Sequence, residues 1–232
     1  MILLPHFPFD ACETSTSFLR RLSLFHTGQG AERLLADLSI DGNAFLSGDA
    51  EALSILARAS EIDVSALQWG TISRFARHRK CRGERWSREF VLPEGARFCP
   101  QCLLDDGADT VEWAGMGRLV WRLRPVLTCN VHCRRLVTLP DKSARWEINH
   151  RYPSGKELRE LADQQAEQTP TVLENLIHDR ILGQETHEGS WLRLQTIEQV
   201  TEACEMIGAS VEHGPIFDVA AMSPAAWRAA GA

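Results

Sequence analysis

Apolar residues in the first third of the chain recur at helical spacing, and polar residues able to cap a helix stand in front of them. In ETSTSFLRRLSLFHTGQG, Phe18, Leu19, Leu22 and Phe25 fall on one face, Thr14 or Ser15 can act as N-cap, and Gly28 supplies a stop. A second helix is expected from about Ala31 to Leu38, followed by a turn at IDGN, residues 40–43. In SGDAEALSILARASEIDVSALQWG, residues 47–70, Ser47 or Asp49 can cap a helix whose apolar face is Leu53, Leu56 and Ala57. Asp63 can cap a second, short helix carrying Val64, Leu67 and Trp69. The turn Glu61-Ile62-Asp63 between them gives the outline of a helix-turn-helix, with Ala57 and Ala59 small enough for close packing. Ser65, Gln68, Thr71, Arg74 and Arg77 would then lie on the exposed side of the second helix and its continuation. Glu61 stands where such turns favour glycine, and an ordinary helical hairpin is the alternative.

The helical period fades from about Glu89 to Leu139. EFVLP reads as a short strand, CPQC as a turn, and RLVWRLR (118–124) and RRLVTL (134–139) as strands on either side of a loop. Helices return in SGKELRELADQQAEQ, with Ser154 as cap, and in TPTVLENLIHDRILG, with Thr169 and Pro170 at the cap and first turn. They continue in TIEQVTEACEMIGA (196–209), where Val200, Cys204 and Ile207 form a stripe. SPAAWRAAGA reads as the opening turns of one more helix, as if a longer polypeptide continued beyond it. The expected fold is therefore mainly α with a small zinc-bound β module, an α+β chain in three parts. These are a helical domain with a helix-turn-helix-like unit (1–88), a zinc-binding module with short strands (89–140) and a helical C-terminal region (141–232).

Composition narrows the class. The 232 residues are 44% hydrophobic, enough for a sizeable core. No run approaches the roughly 18 apolar residues of a membrane span, and MILLPHFPFD lacks the basic and long apolar regions of a signal peptide, so a cytoplasmic protein without membrane contact is expected. The net charge of −6 is unevenly spread: residues 71–140 hold 13 Lys and Arg against seven acids, a balance of +6, and the remainder carries −12. A basic middle between acidic flanks fits a phosphate-bearing partner, and the run SRFARHRKCRGERWSR concentrates it. Arg74, Arg77, Arg79, Lys80, Arg82, Arg85 and Arg88 are the candidate phosphate contacts beside the helix-turn-helix. A solvated charged face is the bland alternative.

Chemistry concentrates in the cysteines. Cys12, Cys81 and Cys204 stand alone, but Cys99-Pro-Gln-Cys102 is followed after 26 residues by Cys129-Asn-Val-His132 and then Cys133. Two such pairs joined by a loop can close a tetrahedral site, and three thiolates with one imidazole suit a single structural Zn2+. Cys99, Cys102, Cys129 and His132 are the expected ligands, with Cys133 as a substitute for His132. A redox role for CPQC would need a strand and helix near the chain start, and unpaired thiols are the remaining option. Asp105, Asp106 and Asp109 could form a nuclease-like carboxylate cluster or, more simply, an acidic loop. The chain has no phosphate-cradling glycine motif, no H-E-x-x-H and no G-x-S-x-G, so no catalytic grouping and no small-molecule substrate are expected.

The order of these parts resembles the TniQ family of transposition target-selection proteins, over about residues 3–139. LLPHFPFDACETSTSFLRRLSLFHTG, LARASEIDVSALQ, FCPQCLLDDG, RLVWRLRPVLTC and CNVHCRRLV carry the resemblance. The family pattern C-P-x-C-L, W-x-L-x-x-V-x-x-C and C-x-x-H-G-x-x-L falls on Cys99, Pro100, Cys102, Leu103, Trp121, Leu123, Val126, Cys129 and His132. Cys133 replaces the glycine, and the further cysteine pair of some relatives is absent, so a second zinc site is not expected. The resemblance implies a non-enzymatic adaptor that recognises DNA, or a guide-RNA effector complex, and recruits the transposition ATPase and transposase. A homodimer is compatible with it.

Overall fold

The computed structural model describes residues 2–139, 148, 150–184 and 194–214. Five helices occupy the first seventy residues. Helix α1 (Ser15–Thr27) is capped by Thr14, whose hydroxyl accepts from the Ser17 N–H, and ends at Gly28 in the left-handed region, φ 67°. Helix α2 spans Ala31–Asp37. The expected turn at 40–43 instead opens a third helix, α3 (Gly42–Ser47), because Asp41 accepts from the Ala44 N–H and Phe45 supplies a buried anchor. Asp49 caps α4 (Ala50–Ser60) and Asp63 caps α5 (Val64–Trp69), both through side-chain bonds to backbone N–H groups. Between them Glu61 adopts φ 53°, the left-handed conformation that explains why glycine suits such a turn. Ala57 and Ala59 are buried beside it.

The chain then departs from expectation. The basic run does not continue the helix. It forms an antiparallel meander of β1 (Ser73–Arg74), β2 (His78–Cys81) and β3 (Glu84–Ser87). Arg82 and Gly83 join β2 to β3 with φ of 51° and 82°, the two positive values of a type I′ hairpin turn. EFVLP is no strand; only Val91 makes a bridge, to Leu123. RLVWRLR holds a 3-10 helix, Leu119–Arg122, in place of the expected strand. RRLVTL divides between two partners: β6 (Arg134–Arg135) pairs with β5 (Thr128–Cys129), and β7 (Val137–Thr138) pairs with β4 (Arg97–Phe98).

Four further helices follow among the described residues. Helix α6 (Pro100–Asp105) grows out of the CPQC turn, with Pro100 in its first turn, and α7 spans Gly155–Asp163. Helix α8 (Val172–Leu182) begins later than expected, because the capping box is Thr171 with Glu174 and not Thr169-Pro170. Helix α9 (Ile197–His213) uses Thr196 and Gln199 in the same way. Its buried side is Ile197, Val200, Thr201, Glu205 and Ala209, whereas Ile207 of the expected stripe is 64% exposed. The helix expected at SPAAWRAAGA lies outside the described residues. No described helix is long and apolar enough to cross a membrane.

Two hydrophobic clusters organise the whole. One gathers Phe18, Leu22, Leu34, Leu53, Leu56 and Leu67 from α1–α5. The other begins at Ile72 and takes in Trp86 and Phe90, the three cysteines Cys99, Cys102 and Cys129, and Leu158, Ile177, Ile181 and Ile197 from α7–α9. The clusters meet across a buried polar seam at the start of α1. Glu13 accepts from Ser17 and Arg21, and Glu94 accepts from Thr14, Thr16 and Arg122.

Candidate metal centre and basic face

The Cys/His group is assembled by two tight turns. Cys99 follows β4 at the N-cap of α6, which brings Cys102 back beside it one turn later. Cys129 ends β5, and the Cys133 N–H donates to the Cys129 carbonyl at 2.8 Å, folding Cys129-Asn-Val-His132 into a knuckle. Cys133 sits at φ 49°, which is why glycine is favoured at that position; its side chain is exposed and stands outside the group. Cys99, Cys102, Cys129 and His132 converge, with their donor atoms all within 4.8 Å of one another. The Cys102 and Cys129 sulfurs are 3.5 Å apart, and His132 Nδ1 lies 3.6, 3.3 and 3.7 Å from the sulfurs of Cys99, Cys102 and Cys129. A tetrahedral ion with zinc–sulfur bonds of about 2.3 Å would set its sulfurs about 3.8 Å apart, so these spacings fit one ion. All four corners are protein atoms, leaving no position for substrate.

The surroundings support that geometry. His132 Nε2 bonds Asp105 Oδ2 at 2.9 Å, which turns Nδ1 toward the sulfurs. Gln165, from the segment after α7, donates to Cys99 Sγ at 3.6 Å and to the Arg135 carbonyl at 2.8 Å. Hydrogen bonds from Cys102 and Cys129 hold the Cys99 thiol well below the usual thiol range, while sharing its proton with Cys129 and Cys99 pushes Cys102 up. A thiolate is therefore already favoured at one corner. Trp121, Leu123 and Val126 are all buried in the same cluster, beneath the group. Among the lone thiols, Cys81 is pushed up to about 12 by burial, as befits an inert core residue.

The three aspartates do not form a cluster. Asp105 supports His132, Asp106 pairs with Arg118 at 3.0 Å and accepts from the Met116 N–H, and Asp109 pairs with Arg159 at 2.8 Å. The roles of Asp105 and Gln165 were invisible in spacing. Asp105 lies 27 positions from the histidine it steers, and Gln165 lies 66 from Cys99.

The meander sorts the seven basic candidates. Arg77, Lys80, Arg85 and Arg88 are exposed. Arg74 and Arg79 are partly buried on the inner side of the sheet, and burial lowers the Arg74 guanidinium to about 10. Arg82 is engaged: it donates to the backbone carbonyls of Trp69, Ile181 and Ala11 and lies over the Trp69 ring at 5.3 Å.

The sequence model of the TniQ family matches residues 5–136, more than half of the chain. The chain belongs to the TniQ family. A search of curated proteins finds no match to it. The match runs through α1–α5, the basic meander and all four donors of the Cys/His group, and TniQ membership associates the chain with transposition.

Proposed function

We propose that this TniQ-family chain is a non-enzymatic targeting and recruitment factor in DNA transposition. It binds target DNA, or an effector complex already seated on the target, and brings in the transposition ATPase and transposase. Family membership over residues 5–136 carries the reading. Cys99, Cys102, Cys129 and His132 hold one structural Zn2+, whose contribution is folding free energy rather than a reactive group. Helices α4 and α5 act as a helix-turn-helix whose exposed Ser65 and Gln68 face bases, while Arg77, Lys80, Arg85 and Arg88 engage phosphates.

Mobility-shift titrations over a range of salt test this with duplexes from the target and the transposon ends. Affinity should fall steeply with salt, and neutralising Arg77 or Arg88 should each lower the slope of log affinity on log salt by about one. Arg82→Gln should instead lower stability and leave the slope intact, because Arg82 is engaged with three carbonyls. A salt-insensitive or absent shift overturns direct DNA binding. The second reading, a protein- or RNA-binding adaptor without direct DNA contact, draws on the exposed Met206, Ile207 and Val211 of α9. Capture of the ATPase, transposase or effector without any duplex shift would favour it.

A further inference from the structure

The antiparallel register gives the meander two unlike faces. Arg74 pairs with Arg79 and Arg79 with Trp86, which is 1% exposed, so this row points into the core. The opposite face carries Lys80 directly across from Arg85. One step along the strands, Phe75 and His78 close the β1–β2 hairpin, with the Phe75 N–H donating to the His78 carbonyl at 3.0 Å. Their rings stack in parallel, 4.5 Å between centroids and 5° between planes. Phe75 is 46% exposed.

Folding gains little from the exposed part of this face. Two cations placed directly opposite one another on a sheet repel, and an exposed phenyl gains little from burial. The meander's own acid, Glu84, is turned to the inner face, where it pairs with Arg180 at 3.1 Å and accepts from the Ile197 N–H. Glu198 of α9 meets the outer face at Ser87, across from His78, where its carboxylate accepts from the Ser87 N–H and hydroxyl. Among the described residues Lys80 and Arg85 have no ion-pair partner, so the rest of this face is a flat aromatic pair beside two cations, with the exposed Arg77 in the loop between the two rings.

We propose that this face is a stacking platform for an unpaired nucleobase of single-stranded nucleic acid, with Phe75 and His78 taking the base and Lys80 and Arg85 the flanking phosphates. A base has a π-face that continues the Phe75–His78 stack, and its backbone supplies the anions the cations lack. A duplex offers no such base, since its bases are already stacked. The inference rests on the basic segment being a nucleic-acid surface, as under the proposed function, but it gives Lys80 and Arg85 the phosphates of a single strand in place of those of the duplex read by α5, and leaves Arg77 and Arg88 to the duplex.

The test uses the full zinc-loaded chain with mixed-sequence single-stranded DNA, single-stranded RNA and duplex DNA of one sequence. Phe75→Leu, which keeps an apolar group and removes the ring, should weaken single-strand binding by about tenfold and leave duplex binding unchanged. Phe75→Trp should restore it, with quenching of the new fluorescence on binding. Lys80→Gln with Arg85→Gln should lower the single-strand salt slope by about 1.4. A preference for DNA or for RNA, if Phe75-dependent, identifies the source of the strand. Wild-type single-strand affinity in Phe75→Leu, at unchanged melting temperature, overturns the proposal, as does equal loss on single strand and duplex. Phe75-dependent single-strand binding without any duplex shift would leave the platform standing and refute duplex recognition; a duplex shift without single-strand binding would do the reverse.

Discussion

Glu13 shows how much a single side chain can be constrained here. Its carboxylate is fully buried, accepts from Ser17 at 2.8 Å and pairs with Arg21 at 2.7 Å. Burial still outweighs the Arg21 charge and raises its pKa to about 7. Unfolding returns Glu13 to the ordinary carboxylate range, so between about pH 4.5 and 7 the folded state binds more protons than the unfolded. Its contribution to stability is complete below that window and lost as pH rises through 7. Glu13→Gln should therefore flatten the pH dependence of denaturant stability across the window, by up to about 3 kcal/mol. An unchanged slope would mean that the Arg21 pair holds Glu13 ionised. Cys133 makes the same point about local constraint: the left-handed backbone at φ 49° fixes the position's geometry, and the thiol is incidental to it.

Among elements, α1, α4 and α5 were readable because each begins with its own capping signal, whereas α3 and α6 lay hidden in segments that read as turns. Thr14, Asp49 and Asp63 stand before α1, α4 and α5 and bond the expected N–H groups. The meander was not readable. Its inner face is built from Arg74, Arg79, Trp86 and Cys81, so the period-2 apolar signal of a buried strand is almost absent. Its turn residues, Arg82-Gly83, are submerged in a basic run. The end of α5 is equally a matter of close contact. A Cβ on Gly70 would come within 2.5 Å of Phe9 Cζ and 2.8 Å of the Glu13 carbonyl, while the Gly70 carbonyl accepts from the Ser15 N–H at 3.0 Å. Gly70→Ala should cost about 1–3 kcal/mol in urea unfolding, because backbone as well as side chain must move. Wild-type stability would show that α5 shifts freely against α1.

At the scale of the molecule, the Cys/His group belongs to the second hydrophobic cluster, which also contains Leu158, Ile177, Ile181 and Ile197 of the last three helices. If it holds zinc, chelation should strip hydrogen-exchange protection from α6–α9 and the 97–138 strands together, while α1–α5 keep most of theirs on their own core. Uniform retention of protection after complete metal loss would refute a folding role for the ion. The sequence by itself determined the two cysteine turns, the capped helices and the family, because each is written in residues a few positions apart whose chemistry is local. Tertiary structure alone decided which cations remain exposed, that Asp105 steers His132, and that Gln165 reaches Cys99. It also decided that Phe75 and His78 stack on an open face. Those outcomes depend on strand register and on contacts across the fold, and no short-range pattern encodes either.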